Sequence, residues 1–139
     1  MKTSRRSFVK KTAALGSAVM VAPTIFPKSV FGANDRINAA VLGLNGRGKS
    51  HVEGLMAQDN VEVTVLCDPD MNILKERQKE FRDTYNKEVA LEQDLRRVMD
   101  NKDIDVVSIA SPNHWHSLSV IWACQAGKDS YVEKPASHN

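Results

Sequence analysis

The sequence lacks the residues that mark several common classes of protein. It contains only two cysteines among 139 residues, and one pair is no disulfide framework. Because Cys67 and Cys124 both lie in apolar stretches, we expect two small core residues, although a single disulfide stays open. Aromatic residues make up 6% of the chain and are not interleaved with a basic patch. This composition argues against a nucleic-acid-binding protein.

Acidic side chains are absent from residues 1–33. Six of the 19 basic residues lie in this segment, which leaves 13 basic against 17 acidic residues in the rest of the chain. The overall net charge of +2 therefore comes from the first segment. The remainder is acidic, which again disfavours binding to a phosphate backbone.

Residues 1–33 have the three parts of a secretory signal: a cationic start, an uncharged middle and a small-residue end. The apolar middle, Thr12 to Phe26, is shorter than the ~20 residues that a membrane-spanning helix needs. Its start contains the pair Arg5 and Arg6 and resembles a twin-arginine export motif. The resemblance implies export of a folded protein to the periplasm by the twin-arginine translocase. An uncleaved membrane anchor or an amphipathic helix is the alternative.

From residue 34 to residue 139 the chain alternates between strand and helix patterns. Single helices between strands, with right-handed crossovers, predict an α/β fold with a doubly wound parallel sheet. On the last helix, Leu118, Ile121 and Trp122 share one apolar face, and Gly127 is placed to end it. The predicted strands are Ile37–Leu42, Val61–Cys67, a short one near Val89–Ala90, Ile104–Ala110 and Ser130–Val132.

A glycine-rich turn follows the first predicted strand. Gly43 allows a tight turn, while Gly46 and Gly48 let the backbone approach a pyrophosphate and pack against the sheet. The free N–H groups of the following helix would bind phosphate. Asn45 stands where the usual Gly-x-Gly-x-x-Gly spacing has its second glycine, and Asn tolerates the left-handed conformation better than most residues. The turn predicts a Rossmann dinucleotide site; a turn that binds nothing is the alternative.

Asp68 lies at the end of the second predicted strand, twenty positions after Gly48. A carboxylate there accepts hydrogen bonds from the ribose hydroxyls of the adenosine and repels a 2′-phosphate. Asp68 therefore predicts NAD as the cofactor, with NADP disfavoured. The alternative is a turn or helix-capping aspartate before Pro69.

Two further motifs end the fourth and fifth strands, one running from Ser111 through Pro112 and Asn113 to His116, the other being Glu133-Lys134-Pro135. At these residues the chain resembles the glucose–fructose oxidoreductase / inositol dehydrogenase (Gfo/Idh/MocA) family, over roughly residues 37–135. The resemblance implies that Lys134 is the catalytic lysine, with His116 also in the active site. It further implies cofactor contacts for Arg47, Ser111, Pro112, Asn113, His116, Glu133 and Lys134.

Two further predictions, on the role of Lys134 and on metal binding, come from the residues themselves. A lysine at the carboxyl end of a strand, facing a dinucleotide, can polarise a carbonyl or assist proton transfer from a hydroxyl. His114 and His116 form a His-x-His pair, but with no third ligand nearby we predict no metal site.

The resemblance implies a second α+β domain that holds the substrate, and 139 residues leave no room for it. We therefore expect an incomplete Rossmann domain, unable to turn over substrate by itself, from a protein that forms homo-oligomers when complete. The favoured function is oxidation of a sugar, cyclitol or polyol by NAD. Because free NAD is scarce outside the cytoplasm, export implies a tightly bound, recycled cofactor. A glycoside hydrolase that oxidises its substrate transiently with bound NAD is the alternative, and a cofactor-binding sensor is a third.

Overall fold

Five parallel strands and four α-helices make up the computed structural model, which describes residues 36–137. Within this range no helix is both long and apolar enough to cross a membrane. The predicted signal segment, residues 1–33, lies outside the described residues. The strands are β1 Ile37–Leu42, β2 Val61–Cys67, β3 Ala90–Glu92, β4 Val106–Ile109 and β5 Asp129–Val132. The helices are α1 Gly48–Met56, α2 Met71–Tyr85, α3 Leu95–Asp100 and α4 His116–Gln125, the last preceded by a 3₁₀ turn at Asn113–Trp115.

The strands pair in the order β3-β2-β1-β4-β5, so the first strand lies at the centre of the sheet. Every pair is parallel. This arrangement confirms the predicted Rossmann fold. Strand β4 is shorter than predicted and begins at Val106. Just before it, Asp105 exchanges hydrogen bonds with Asn38 at the start of β1.

Helices cover both faces of the sheet, as a doubly wound fold requires. Alternate residues of β1 point to opposite faces. Ala40 and Leu42 pack with α3 and α4, whereas Ala39 and Val41 pack with the cluster that includes α2. Burial of β1 on both faces explains its unbroken apolar sequence.

Helix α4 turns only part of its predicted apolar face to the sheet, since Trp122 packs against the core and the other two residues do not. Leu118 and Ile121 are exposed, the latter by 51%, while His116, Ser119 and Ala123 are buried. The reason is tertiary: both ring nitrogens of His116 reach backbone carbonyls only when this face turns inward. Gly127, with φ +72°, follows the helix in the left-handed conformation, as predicted.

The two cysteines have different environments. Cys67 is buried at the end of β2, as expected, and burial raises the pKa of its thiol to about 12, with a smaller contribution from Glu92. Cys124 is exposed on α4, so the expectation of a second core cysteine is wrong. The same rotation of α4 that exposes Ile121 leaves Cys124 on the outer side. Both thiols are free.

Candidate functional site

The turn after β1 depends on two of its glycines for steric reasons. Gly43 has a φ of +86°, and a β-carbon there would lie 2.6 Å from the backbone nitrogen of Ser111. A β-carbon on Gly48 would overlap the carbonyl oxygen of Gly43. The first turn of α1 therefore packs directly against the turn that leaves β1.

Gly46 is free of such constraints. A β-carbon on Gly46 would meet no protein atom within 4 Å, so the space beside it is open. Helix α1 begins two residues later, and no side chain caps its first turn. Apart from the Lys49 N–H, which donates to the Gly46 carbonyl at 3.3 Å, N–H groups at this end of the helix are thus available to an anionic ligand. Asn45 does not adopt the left-handed conformation that its position suggested, since Asn86 is the one non-glycine residue with positive φ between residues 36 and 137.

Asp68 fixes the glycine turn from the neighbouring strand. Its Oδ2 accepts a hydrogen bond from the Leu44 N–H at 2.8 Å, and its Oδ1 accepts one from the Asp70 N–H at 3.0 Å. Asp70, and not Asp68, caps helix α2 by accepting from the Asn72 N–H. Each carboxylate oxygen has capacity for a second hydrogen bond, so Asp68 can support the turn and still bind a hydroxyl.

The next peptide of the turn is held by Arg77. The Nε of Arg77 donates to the Leu44 carbonyl at 3.2 Å, and the guanidinium is itself paired with Glu80 at 2.6 Å. The backbone of Leu44 is therefore clamped between β2 and α2. This arrangement preorganises the turn before any ligand arrives.

A cavity of about 900 Å³ lies along the carboxyl ends of the strands. Two hydroxyls in its wall, those of Ser111 and Ser119, are buried and have no partner among residues 36–137. Beyond Asp68 the cavity continues between the start of α3 and the inner side of α4. Its lining includes Gly43, Leu44, Asn45, Gly46, Asp68, Gln93, Leu95, Arg96, Ser111, Pro112, Trp115, Ser119 and Trp122.

The cavity brings together half of the predicted cofactor-binding residues. Among those that line it, the glycine turn and Asp68 come from the first two strands, and Ser111 and Pro112 from the fourth. The others lie around it rather than in its wall: Arg47, Gly48, Asn113, His116, Glu133 and Lys134.

His116 lies beneath the turns that follow β4 and β5. It is 1% exposed, and its ring nitrogens are each 2.7 Å from a carbonyl oxygen, Nδ1 from that of Pro135 and Nε2 from that of Ser111. The ring therefore ties the two turns together. Because neither nitrogen faces the cavity, this geometry favours a positioning role over direct contact with a reacting atom.

Glu133 does not face the cavity either. Its Oε1 lies 3.0 Å from Nε2 of His51 and 3.3 Å from Nε of Arg47. The hydrogen bond from His51, followed by that from Arg47, holds the pKa of Glu133 below its ordinary value, against the opposing effect of burial. This network engages the Glu133 carboxylate, and the contact of Glu133 with the cofactor stays a prediction.

His51 is the residue that sequence reasoning missed. It sits on α1, is 8% exposed, and its Nδ1 lies 2.8 Å from the hydroxyl of Ser108 on β4. A histidine three positions after the last glycine of the turn was the available signal, but only the fold brings it to Ser108 and Glu133. Within the described range no cluster of three or more metal-ligating side chains occurs.

Lys134 is exposed on the turn after β5. Among residues 36–137 its ammonium has no hydrogen bond or ion pair, and the peptide bond to Pro135 is cis. Lys134 follows β5 at the same edge of the sheet as the glycine turn and Asp68. Within the described range it is therefore an unpaired cation at the carboxyl end of the sheet.

These features fit a dinucleotide. The open space at Gly46 and the uncapped start of α1 suit a pyrophosphate, and the spare acceptor capacity of Asp68 suits a ribose. The apolar wall beyond Asp68, with Leu95 and Trp122, suits a base. Fold and cavity together define a dinucleotide-binding Rossmann domain.

Comparison with known proteins places the domain in a family. Residues 37–139 match the Gfo/Idh/MocA model, described as "Oxidoreductase family, NAD-binding Rossmann fold". The chain belongs to this family, and the cofactor of its Rossmann domain is NAD. A glycosyl hydrolase family 109 protein of Shewanella pealeana is 30% identical over 91% of this chain and 27% of its own length.

Solved structures agree on the fold. Myo-inositol 2-dehydrogenase from Lactobacillus plantarum is 25% identical with a TM-score of 0.62, covering 75% of this chain and 30% of that one. Scyllo-inositol dehydrogenase from Lactobacillus casei, solved with NAD(H) and scyllo-inositol, is 24% identical with a TM-score of 0.66, covering 75% and 29%. The chain thus spans about a third of the length of the proteins it matches.

Proposed function

We propose that the complete protein is an NAD-dependent oxidoreductase that acts on a carbinol carbon of a sugar, cyclitol or polyol. The observation that carries the proposal is the arrangement at the carboxyl edge of the sheet. A preorganised glycine turn and Asp68 line one cavity, and the Lys134 ammonium, which has no partner in the part of the chain that the structure describes, stands at the same edge. The inositol dehydrogenases with the same fold support the substrate class.

The residues of this chain have separable tasks in such a reaction. Gly46 and the start of α1 bind the pyrophosphate, and Asp68 binds the adenosine ribose. The nicotinamide, when bound, supplies a hydride acceptor or donor. Lys134 polarises the substrate oxygen or assists transfer of its proton. His116 holds the turns that carry Ser111 and Lys134 in register.

The proposal extends to cofactor choice and location. A buried carboxylate at Asp68 repels the 2′-phosphate of NADP, so NAD is preferred. Residues 1–33 would direct the folded protein through the twin-arginine translocase to the periplasm, with cofactor already bound. A second domain would supply the substrate pocket and, through its sheet, a homo-oligomer. We therefore expect the Rossmann domain by itself to bind NAD without turning over substrate.

A glycoside hydrolase is the second candidate, and one observation favours it. Curated relatives that match 91% and 98% of this chain are named glycosyl hydrolase family 109 proteins. In this function bound NAD would oxidise a sugar hydroxyl transiently, the aglycone would be eliminated, and the sugar would be reduced again. The proposed roles of the glycine turn and Asp68 are the same in both reactions.

Three measurements on the complete protein test these candidates. The ultraviolet spectrum of the purified protein should show co-purifying NAD(H). Incubation with a panel of inositols and sugars should then give ketone or lactone products. Aryl glycosides without added cofactor should release no aglycone; release without net oxidation would select the hydrolase. Absence of any nicotinamide cofactor, together with failure to bind added NAD, would refute both.

A further inference from the structure

Lys134 has no hydrogen-bonding partner within the described residues, yet both of its neighbours along the chain are fixed. The Glu133 N–H donates to the Ile109 carbonyl at 3.0 Å, and the Glu133 carboxylate is bonded to His51. On the other side, His116 contacts the Pro135 carbonyl. Since consecutive α-carbons are about 3.8 Å apart, the position of the Lys134 backbone depends on these two neighbours.

His51 is suited to hold Glu133 because its two ring nitrogens have complementary partners. The Glu133 carboxylate only accepts, so Nε2 of His51 carries a hydrogen and donates it. In the neutral ring Nδ1 then accepts from the Ser108 hydroxyl, at 2.8 Å. The edge of the ring also packs against Tyr131, with centroids 5.4 Å apart. A buried imidazole with every polar atom satisfied has one orientation.

We propose that His51 is a positioning residue for Lys134. Helix α1 follows the glycine turn. Through its hydrogen bond to Glu133, His51 fixes the turn after β5 relative to this helix. Arg47, an exposed residue at the start of the same helix, forms a second ion pair with the Glu133 carboxylate. One helix thereby sets both the cofactor cradle and the lysine, and the distance between them is fixed. The inference rests on the role of Lys134 in the proposed function.

The test compares His51→Leu with His51→Gln in the complete protein. Leucine removes both hydrogen bonds, whereas the glutamine amide restores an N–H donor for Glu133. We expect kcat to fall by about 10- to 100-fold in His51→Leu, the cost of an ångström-scale misplacement, and to recover in part in His51→Gln. The Kd for NAD should stay within about threefold, because the cradle itself is unchanged.

A carboxyl NMR titration supplies a readout that needs no turnover. The pKa of Glu133 should rise toward its ordinary value in His51→Leu and return part of the way in His51→Gln. Glu62 is the internal control, since Lys87 is the main cause of its lowered pKa and it lies at the other end of the sheet. Its titration should be the same in every variant.

The outcomes separate this inference from the proposed function. An unchanged kcat despite a shifted Glu133 titration would overturn the positioning role, as would equal losses of kcat, NAD affinity and melting temperature in both variants. If His51→Leu does not fold, a double-mutant cycle of His51→Gln with Glu133→Gln takes its place. Additive effects on kcat in that cycle would also overturn it. Failure of the wild-type protein to bind NAD refutes the proposed function, while the titration still reports the His51–Glu133 coupling.

Discussion

The Asp68 carboxylate accepts a hydrogen bond from the Leu44 backbone N–H at 2.8 Å, which joins the end of β2 to the glycine turn after β1. The residue that we propose to bind the adenosine ribose is thus also a support of the glycine turn. Removal of this carboxylate should affect cofactor binding in two ways at once.

Asp68→Asn should weaken NAD binding by about tenfold or more and destabilise the fold by about 1–3 kcal/mol. The amide has one acceptor oxygen, so either the Leu44 or the Asp70 N–H loses its partner. Isothermal titration and thermal melting measure the two effects. Asp70→Asn is the matched control, because asparagine caps a helix as well as aspartate does. Equal losses in both variants would contradict the dual role.

Two glycines of the same turn should respond differently to alanine. Gly48→Ala forces a β-carbon onto the Gly43 carbonyl and should lower the melting temperature. Gly46→Ala meets no protein atom, so we expect a normal melting temperature together with weaker NAD binding. Gly54→Ala, in the interior of α1 with open space around it, should be neutral or slightly stabilising. Normal NAD affinity in Gly46→Ala would show that the space at Gly46 is not used by the cofactor.

Lys134→Met should lower kcat by about 10²- to 10⁴-fold in the complete protein, the range typical of a lost general acid or base. The Kd for NAD should change little, because Lys134 does not line the cavity. Steady-state kinetics and cofactor titration separate the two. Lys75→Met, an exposed lysine of α2, is the control and should behave like the wild type. Full activity in Lys134→Met would remove the lysine from the reaction and, with it, the role of His51.

The Asp94 carboxylate should contribute to the pH dependence of the free energy of unfolding in acid. Its hydrogen bonds from the Arg96 side chain and backbone lower its pKa from 3.8 to about 2. Between these values the unfolded chain binds more protons than the folded one, so this contribution is present above 3.8 and lost as pH falls toward 2. Urea unfolding across that window should therefore show a smaller pH dependence in Asp94→Asn, which keeps the helix cap. An identical slope in the two proteins would contradict the assignment.

The thiols should differ in reactivity. Cys67 is buried and its pKa is raised to about 12, while Cys124 is exposed. A thiol reagent should therefore modify Cys124 in the native protein and both cysteines after unfolding. Cys124→Ser should abolish the native reaction. Rapid modification of Cys67 in the folded protein would contradict the packing at the end of β2.

The order of the secondary structure elements could be predicted from the sequence because its signals are local. The apolar runs of β1 and β2, the glycine turn and the glycine after α4 each constrain only a few neighbouring residues. The position of Asp68 at the same edge as the glycine turn could also be predicted, since the carboxyl ends of parallel strands share one edge of the sheet. Family motifs after β4 and β5 then predicted the rest of the candidate site.

The orientation of α4 and the network around Glu133 were decided only by the tertiary structure. The apolar spacing of Leu118 and Ile121 favours one face, but burial of His116 against two backbone carbonyls selects another. His51 and Glu133 are 82 residues apart, and no local pattern pairs them. Hydrogen bonds between distant buried groups form only when the packed fold excludes water and brings their atoms within reach. The sequence alone therefore identified NAD as the cofactor, and the fold decided the contacts of the turn that carries Lys134.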